Sequence, residues 1–187
     1  LRTRRQRQMC IRDRLSNNIP TSYNAYYAGW DRSNSSASSG VSIHHPAGSA
    51  KKISTFISSL SNATYNGGAY NAHWAVNWSA TTNGHGVTEG GSSGSPIFNQ
   101  SKRIVGQLSG GSSTCNFPNY SDLYGKMSEN WTSNGTSNGA QLAYWLDPTN
   151  SNATYMDGTY APCGTSSLSC SISQTANSVT TLSLIHI

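Results

Sequence analysis

The sequence predicts an all-β domain, and three observations carry that expectation. Its 187 residues fall within the usual size of one domain, so a sizeable core can be buried without a second one. Only 10% of residues are charged, while Gly, Ser, Asn, Thr, Tyr and Trp abound, the mixture that short strands and tight turns require. Apolar residues come in brief runs bounded by turn clusters rather than at a sustained helical period.

Taken in order, residues 23–30 are aromatic-rich and read as a strand, residues 41–45 as a second and residues 52–60 as a third. Residues 74–78 alternate Trp and Val with small or polar residues before Thr81-Thr82-Asn83-Gly84 breaks the run. Residues 96–98 and 103–108 follow as two strands about a turn at Asn99-Gln100-Ser101. The one good helix candidate covers residues 140–146: Leu142, Trp145 and Leu146 share a face at i, i+3 and i+4, and Asp147-Pro148 ends it. From residue 161 the chain turns rich in Ser and Thr and reads as a linker or the start of a following module. No internal repeat and no apolar run long enough to span a membrane is visible.

A formal charge of +5 suggests nucleic-acid binding until the basic residues are located. Arg2, Arg4, Arg5, Arg7, Arg12 and Arg14 lie in the first fourteen residues; beyond residue 15 six basic residues face six acidic ones. The body is neutral, and nucleic acid is not an expected partner. The head, residues 1–15, has neither periodicity nor the apolar core of a signal peptide. It resembles translated adapter sequence, as does the closing Leu-Ser-Leu-Ile-His-Ile, so residues 16–160 are expected to be the true domain and part of a longer reading frame. Cys10, Cys115, Cys163 and Cys170 form no metal-binding spacing, and no cofactor is expected. Cys163 and Cys170 enclose a segment suited to a small disulfide loop of an exported protein, leaving Cys115 without an obvious partner.

Chemistry concentrates in Gly90-Gly91-Ser92-Ser93-Gly94-Ser95-Pro96-Ile97-Phe98. A serine among small residues, entered from a turn and followed by Pro and an apolar strand, can be held in a tight bend with its Oγ exposed. The N–H groups of Gly91 and Ser93 can then converge on one point, which is what acyl transfer needs: a nucleophile beside two donors for the oxyanion. The strand Arg103 onward ends in Ser109-Gly110-Gly111, whose backbone can pair with an extended peptide.

Around this loop stand Ala28-Gly29-Trp30-Asp31-Arg32, Ile43-His44-His45-Pro46, Lys52-Ile53-Ser54, Val87-Thr88-Glu89, Val105-Gly106-Gln107-Leu108, Ser121-Asp122-x-Tyr124-Gly125 and Trp145-Leu146-Asp147-Pro148. In this order the segments resemble those of the bacterial lysyl endopeptidases, from about residue 23 to about residue 160. The resemblance implies a trypsin-like antiparallel β-barrel, the second barrel of a two-barrel serine protease, with a short C-terminal helix. It also implies a secreted, monomeric parent enzyme that needs no cofactor, is not tied to a membrane and cuts polypeptide substrates after lysine. Carried over by position, Ser93 resembles the nucleophile, Gly91 and Ser93 the oxyanion donors, Asp122 the pocket carboxylate that recognises lysine, Trp78 the indole lining the cleft, and Gly110 and Gly111 the strand that pairs with substrate. A buried carboxylate paired with an ammonium group agrees with that role for Asp122; a solvated turn aspartate is the alternative.

Two departures accompany the resemblance. Ser109 stands where the family carries a histidine near the cleft tryptophan. The catalytic histidine and aspartate of the family lie upstream of residue 23, where nothing matches, so the chain as given is expected to be inactive. His44 and His45 belong to a motif expected to lie away from the site, and His73 and His85 are expected on the surface or in loops. The rival reading is a secreted β-sandwich module that binds carbohydrate or protein, in which the Ser93 loop is only a turn.

Overall fold

The computed structural model describes residues 19–133, 137 and 140–160. The arginine-rich head, the 161–187 segment and the Cys163–Cys170 pairing lie outside them; Cys115 is exposed and has no disulfide partner among the described residues. Among the described residues eleven strands alternate with turns: β1 (Gly29–Asp31), β2 (Gly40–His44), β3 (Lys52–Phe56), β4 (Ser61–Ala63), β5 (His73–Val76), β6 (Ala80–Thr81), β7 (Gly84–His85), β8 (Pro96–Asn99), β9 (Arg103–Gly111), β10 (Asp122–Lys126) and β11 (Tyr155–Met156). Two short helices, α1 (Met127–Asn130) and α2 (Leu142–Leu146), follow β10.

The chain is all-β, as its composition predicts. Strands β3-β2-β8-β9-β10-β5-β4 form one antiparallel path; β1 joins β9 in parallel and β11 pairs with β1. The ends of the path, β3 and β4, do not pair, so the sheet curls toward a barrel that is not closed. The Ser79 N–H donates to the Thr55 carbonyl at 2.8 Å, tying the chain after β5 to β3.

Both faces of the sheet are covered, because successive side chains of a strand point to opposite faces. Ile97 and Val105 join Phe56, Trp74, Val76, Trp78, Leu108 and Tyr124 on one side. Their neighbours Phe98 and Ile104 join Trp30, Met127 and Trp131 on the other. Helix α2 begins two residues later than its periodicity predicts, and it lays Leu142, Ala143 and Leu146 on this second cluster. Trp145 instead meets Tyr144 edge to face at 5.1 Å.

The predicted 23–30 strand shrinks to an isolated bridge at Tyr27 and to β1, because Thr21–Tyr23 forms a 3-10 turn and Asn24 adopts a positive φ. Strand β10 was not expected from its charged ends, Asp122 and Lys126, yet both are buried. Lys126 lies 4.0 Å above the Trp74 ring and donates to Asn62 Oδ1 at 2.7 Å, so its ammonium group keeps polar company under the sheet. No helix among the described residues is long and apolar enough to cross a membrane.

Candidate active site

Ser93 sits exposed at the tip of the turn between residue 90 and β8. Gly91 (φ +100°) and Gly94 (φ +82°) supply the left-handed backbone that makes this bend, a conformation that side chains oppose. The loop is anchored at both ends of the bend. Ser92 N–H donates to Glu89 C=O at 2.9 Å, Ser95 N–H to Ser92 C=O at 3.0 Å, and Gly94 N–H to Leu108 C=O of β9 at 2.8 Å. Between residues 91 and 95, the N–H groups of Gly91 and Ser93 alone make no hydrogen bond to another described residue. The two sequence-predicted donors are thus the two that the loop leaves unused.

No described histidine bonds to Ser93. His45 contacts the Ser49 carbonyl through Nδ1 at 3.1 Å, His85 the Gly86 carbonyl through Nδ1 at 2.9 Å, and His73 the Ser109 hydroxyl through Nε2 at 3.1 Å. His44, expected away from the site, is instead buried against it: its Nδ1 lies 3.0 Å from Ser92 Oγ, one residue before the predicted nucleophile. His73 departs from expectation too, since it lies on β5, partly buried, rather than in a surface loop.

Leu108 also connects the loop to β9, the strand expected to pair with substrate. Its N–H donates to Ser95 C=O at 2.9 Å, after which β9 leaves β8 and continues alone on that side. Gly110 and Gly111 pair with Leu123 and Asp122 of β10 on the other side. Ser109 is the extra residue of a bulge between Leu108 and Gly110, which re-aims its side chain toward His73. Here a side chain on β5 puts an imidazole beside Ser109, the position at which the resemblance implies a histidine.

Asp122 is buried on β10, not in a solvated turn. Its Oδ2 accepts from Trp78 Nε1–H at 2.6 Å, Thr88 Oγ1–H at 2.5 Å and Ser113 Oγ–H at 2.5 Å, and its Oδ1 accepts from Ser113 N–H at 3.1 Å. A Cβ on Gly111 would run into Oδ1, so only glycine leaves the carboxylate uncovered on that flank. Trp78, expected to line the cleft, lies in the core between Phe56 and Tyr124 and reaches the carboxylate from beneath. Thr88 and Ser113 escaped the sequence reading because isolated hydroxyls in a Ser/Thr-rich chain carry no signal of their own.

With this geometry in hand, residues 2–125 match the family described as lysyl endopeptidase, C-terminal domain. The chain belongs to that family. A lysyl endopeptidase of Pseudomonas aeruginosa is 36% identical over 115 residues, which take in 56% of this chain and 23% of that protein. The chain therefore spans less than a quarter of the relative's length. The matched residues include the Ser93 loop, and the family supports a protease-related origin for the domain.

One buried histidine, His44, and one partly buried, His73, are expected to make the fold of this domain sensitive to acid. Burial lowers the pKa of His44 below its ordinary value against the pull of Asp122; burial and then nearby Lys126 lower that of His73. The unfolded chain then binds more protons below about pH 6.5 than the folded one, so stability falls as pH drops from about 6.5 to the depressed values and levels off beneath them. Urea midpoints are expected to be lower at pH 5.5 than at pH 7.5, a window above ordinary carboxylate titration. A midpoint unchanged or higher at pH 5.5 would refute the assignment.

Proposed function

We propose that this chain is the C-terminal barrel, residues 16–160, of a secreted, monomeric serine endopeptidase that cleaves polypeptides after lysine. The observation that carries this reading is the pair of unused N–H groups of Gly91 and Ser93 beside an exposed serine, in a loop whose other donors are committed. Ser93 Oγ attacks the scissile carbonyl to form an acyl-enzyme, and the two N–H groups stabilise the oxyanion of the tetrahedral intermediate. The free side of Ser109-Gly110-Gly111 pairs with the substrate backbone. Asp122 closes the pocket for the lysine ammonium group, with Trp78 supporting the carboxylate from beneath. No cofactor is required.

The base that activates Ser93 is assigned to the parent's upstream barrel, since each described histidine is engaged elsewhere. Without it Ser93 has the reactivity of an ordinary alcohol. The chain alone is therefore expected to hydrolyse a lysine-amide substrate no faster than background, and joining it to the upstream half of a lysyl endopeptidase to restore turnover. Turnover by the chain alone that Ser93→Ala abolishes would overturn the assignment of the base, and a rejoined protein with no turnover would overturn the protease reading.

A further inference from the structure

A buried chain of polar groups that no step of acyl transfer uses holds the Ser93 loop from below. Its direction can be worked out atom by atom. Ser54 Oγ–H donates to the Val87 carbonyl at 3.2 Å, so at 2.8 Å the same oxygen accepts the proton on His44 Nε2. The ring is neutral in its buried place, which leaves a lone pair on Nδ1. Ser92 Oγ–H donates to that lone pair at 3.0 Å, and Ser92 Oγ in turn accepts from Glu89 N–H at 3.4 Å.

The chain starts and finishes on the backbone of one segment, residues 87–89, and passes through β2 and β3 on the way. His44, Ser54 and Ser92 are each at most 2% exposed, so these bonds are shielded from bulk solvent. The residues after His44 brace the same loop: Ala47 N–H donates to Gly90 C=O at 2.8 Å, and the His45 carbonyl lies 3.2 Å from where a Cβ on Gly91 would be. Every connection leads to residues 87–92, and the next residue is Ser93.

We propose that His44 is a positioning residue for Ser93: the neutral ring, protonated on Nε2, locks Ser92 and thereby the turn that aims the Gly91 and Ser93 N–H groups. The consequence for catalysis rests on the protease reading; the lock itself does not. Protonation makes both ring nitrogens donors, and Ser92, already accepting from Glu89, must turn its own proton away from the ring. Among the charged groups around the ring, Asp122 favours the proton and neighbouring His45 opposes it. Lys52, its cross-strand partner on β3, is exposed, and the Glu89 carboxylate accepts from Cys115 N–H at 3.3 Å.

The test uses the chain rejoined to the upstream half of a lysyl endopeptidase. His44→Phe keeps the ring's bulk and removes both bonds; it is expected to lower kcat on a lysine ester by roughly ten- to a hundredfold with little change in KM, as small misplacements of reacting groups do. His44→Asn, whose Oδ1 can stand in for Nδ1, is expected to recover most of the loss. Activity of His44→Phe within about twofold of the parent, or an asparagine variant no better than phenylalanine, would overturn the proposal.

A second measurement decides the lock even where the rejoined protein has no activity. Long-range 1H–15N spectra of the histidine-labelled Ser93→Ala protein are expected to report the Nε2–H form of His44. In the same variant labelled uniformly with 15N, the amides of Ser92, Gly94 and the residue at position 93 are expected to shift with the ring's own titration midpoint. An Nδ1–H form, or amides that stay still while the ring titrates, would sink the lock. An inactive protein with the expected spectra would sink the protease reading and leave the lock standing.

Discussion

Ser93→Ala in the rejoined two-barrel protein is expected to lower kcat by several orders of magnitude, on the order of 10⁴–10⁶, while peptide binding barely changes. The nucleophile bonds to substrate in the transition state and contributes little to ground-state affinity, so the loss falls on kcat and not on KM. The loop keeps its shape in the variant, because Ser93 Oγ takes no part in the bonds that hold it. A variant retaining more than roughly a tenth of the parent kcat would point to another nucleophile. Ser92 is a poor candidate, buried and committed to His44, which leaves half-buried Ser95 as the residue to replace next.

Asp122→Asn is expected to abolish a preference for lysine of hundredfold or more. With the native carboxylate, a neutral side chain in the pocket leaves a desolvated charge unpaired, and losing one partner of such a pair costs about 3–5 kcal/mol. A preference over arginine is expected from the resemblance to the lysyl endopeptidases: a compact ammonium group would fit a short pocket that a planar guanidinium would overfill. Asparagine also points an NH2 group at one of the donors that now serve the carboxylate, so the variant is expected to be less stable. The ratio of kcat/KM for lysine to that for arginine, leucine and glutamate substrates is the right measure, because the folded fraction cancels. Cleavage after glutamate or large apolar residues by the protein with native Asp122 would refute the assignment, as would a lysine preference that survives in Asp122→Asn.

Much of the sheet was legible because its turns are chemically explicit. β8 and β9 lie where Pro96-Ile97-Phe98 and Arg103-Ile104-Val105 flank a turn, and that turn needs Lys102 at φ +61°. The Ser93 loop was legible for the same reason, since its glycines occur where the backbone demands them. β10 was not, because burying Asp122 and Lys126 depends on partners far along the chain, Trp78, Thr88 and Ser113 for one and Trp74 and Asn62 for the other.

β2 misleads in a more instructive way. Val41 and Ile43 alternate with Ser42 and His44, a pattern that reads as apolar inside and polar outside. The polar pair is in fact the more deeply buried, because both faces of the sheet are covered. Ser42 donates to the Pro96 carbonyl at 2.8 Å and accepts from Tyr124 Oη at 2.9 Å, and His44 joins the loop. Alternation separates two faces but does not say that either one meets water, and the motif that set His44 and His45 apart from the site did not show this burial either.

The four donors around Asp122 were described as geometry, but they also decide when its charge is desolvated. The carboxylate leaves water as the chain folds, and Trp78, Thr88 and Ser113 take over from its hydration shell at that moment. On the proposed reading, an arriving lysine would meet an anion that is already dehydrated and already oriented, so little of its binding energy would go into stripping water from the acceptor. The penalty then falls on the stability of the fold rather than on the encounter with the substrate that the proposed function assigns to this carboxylate.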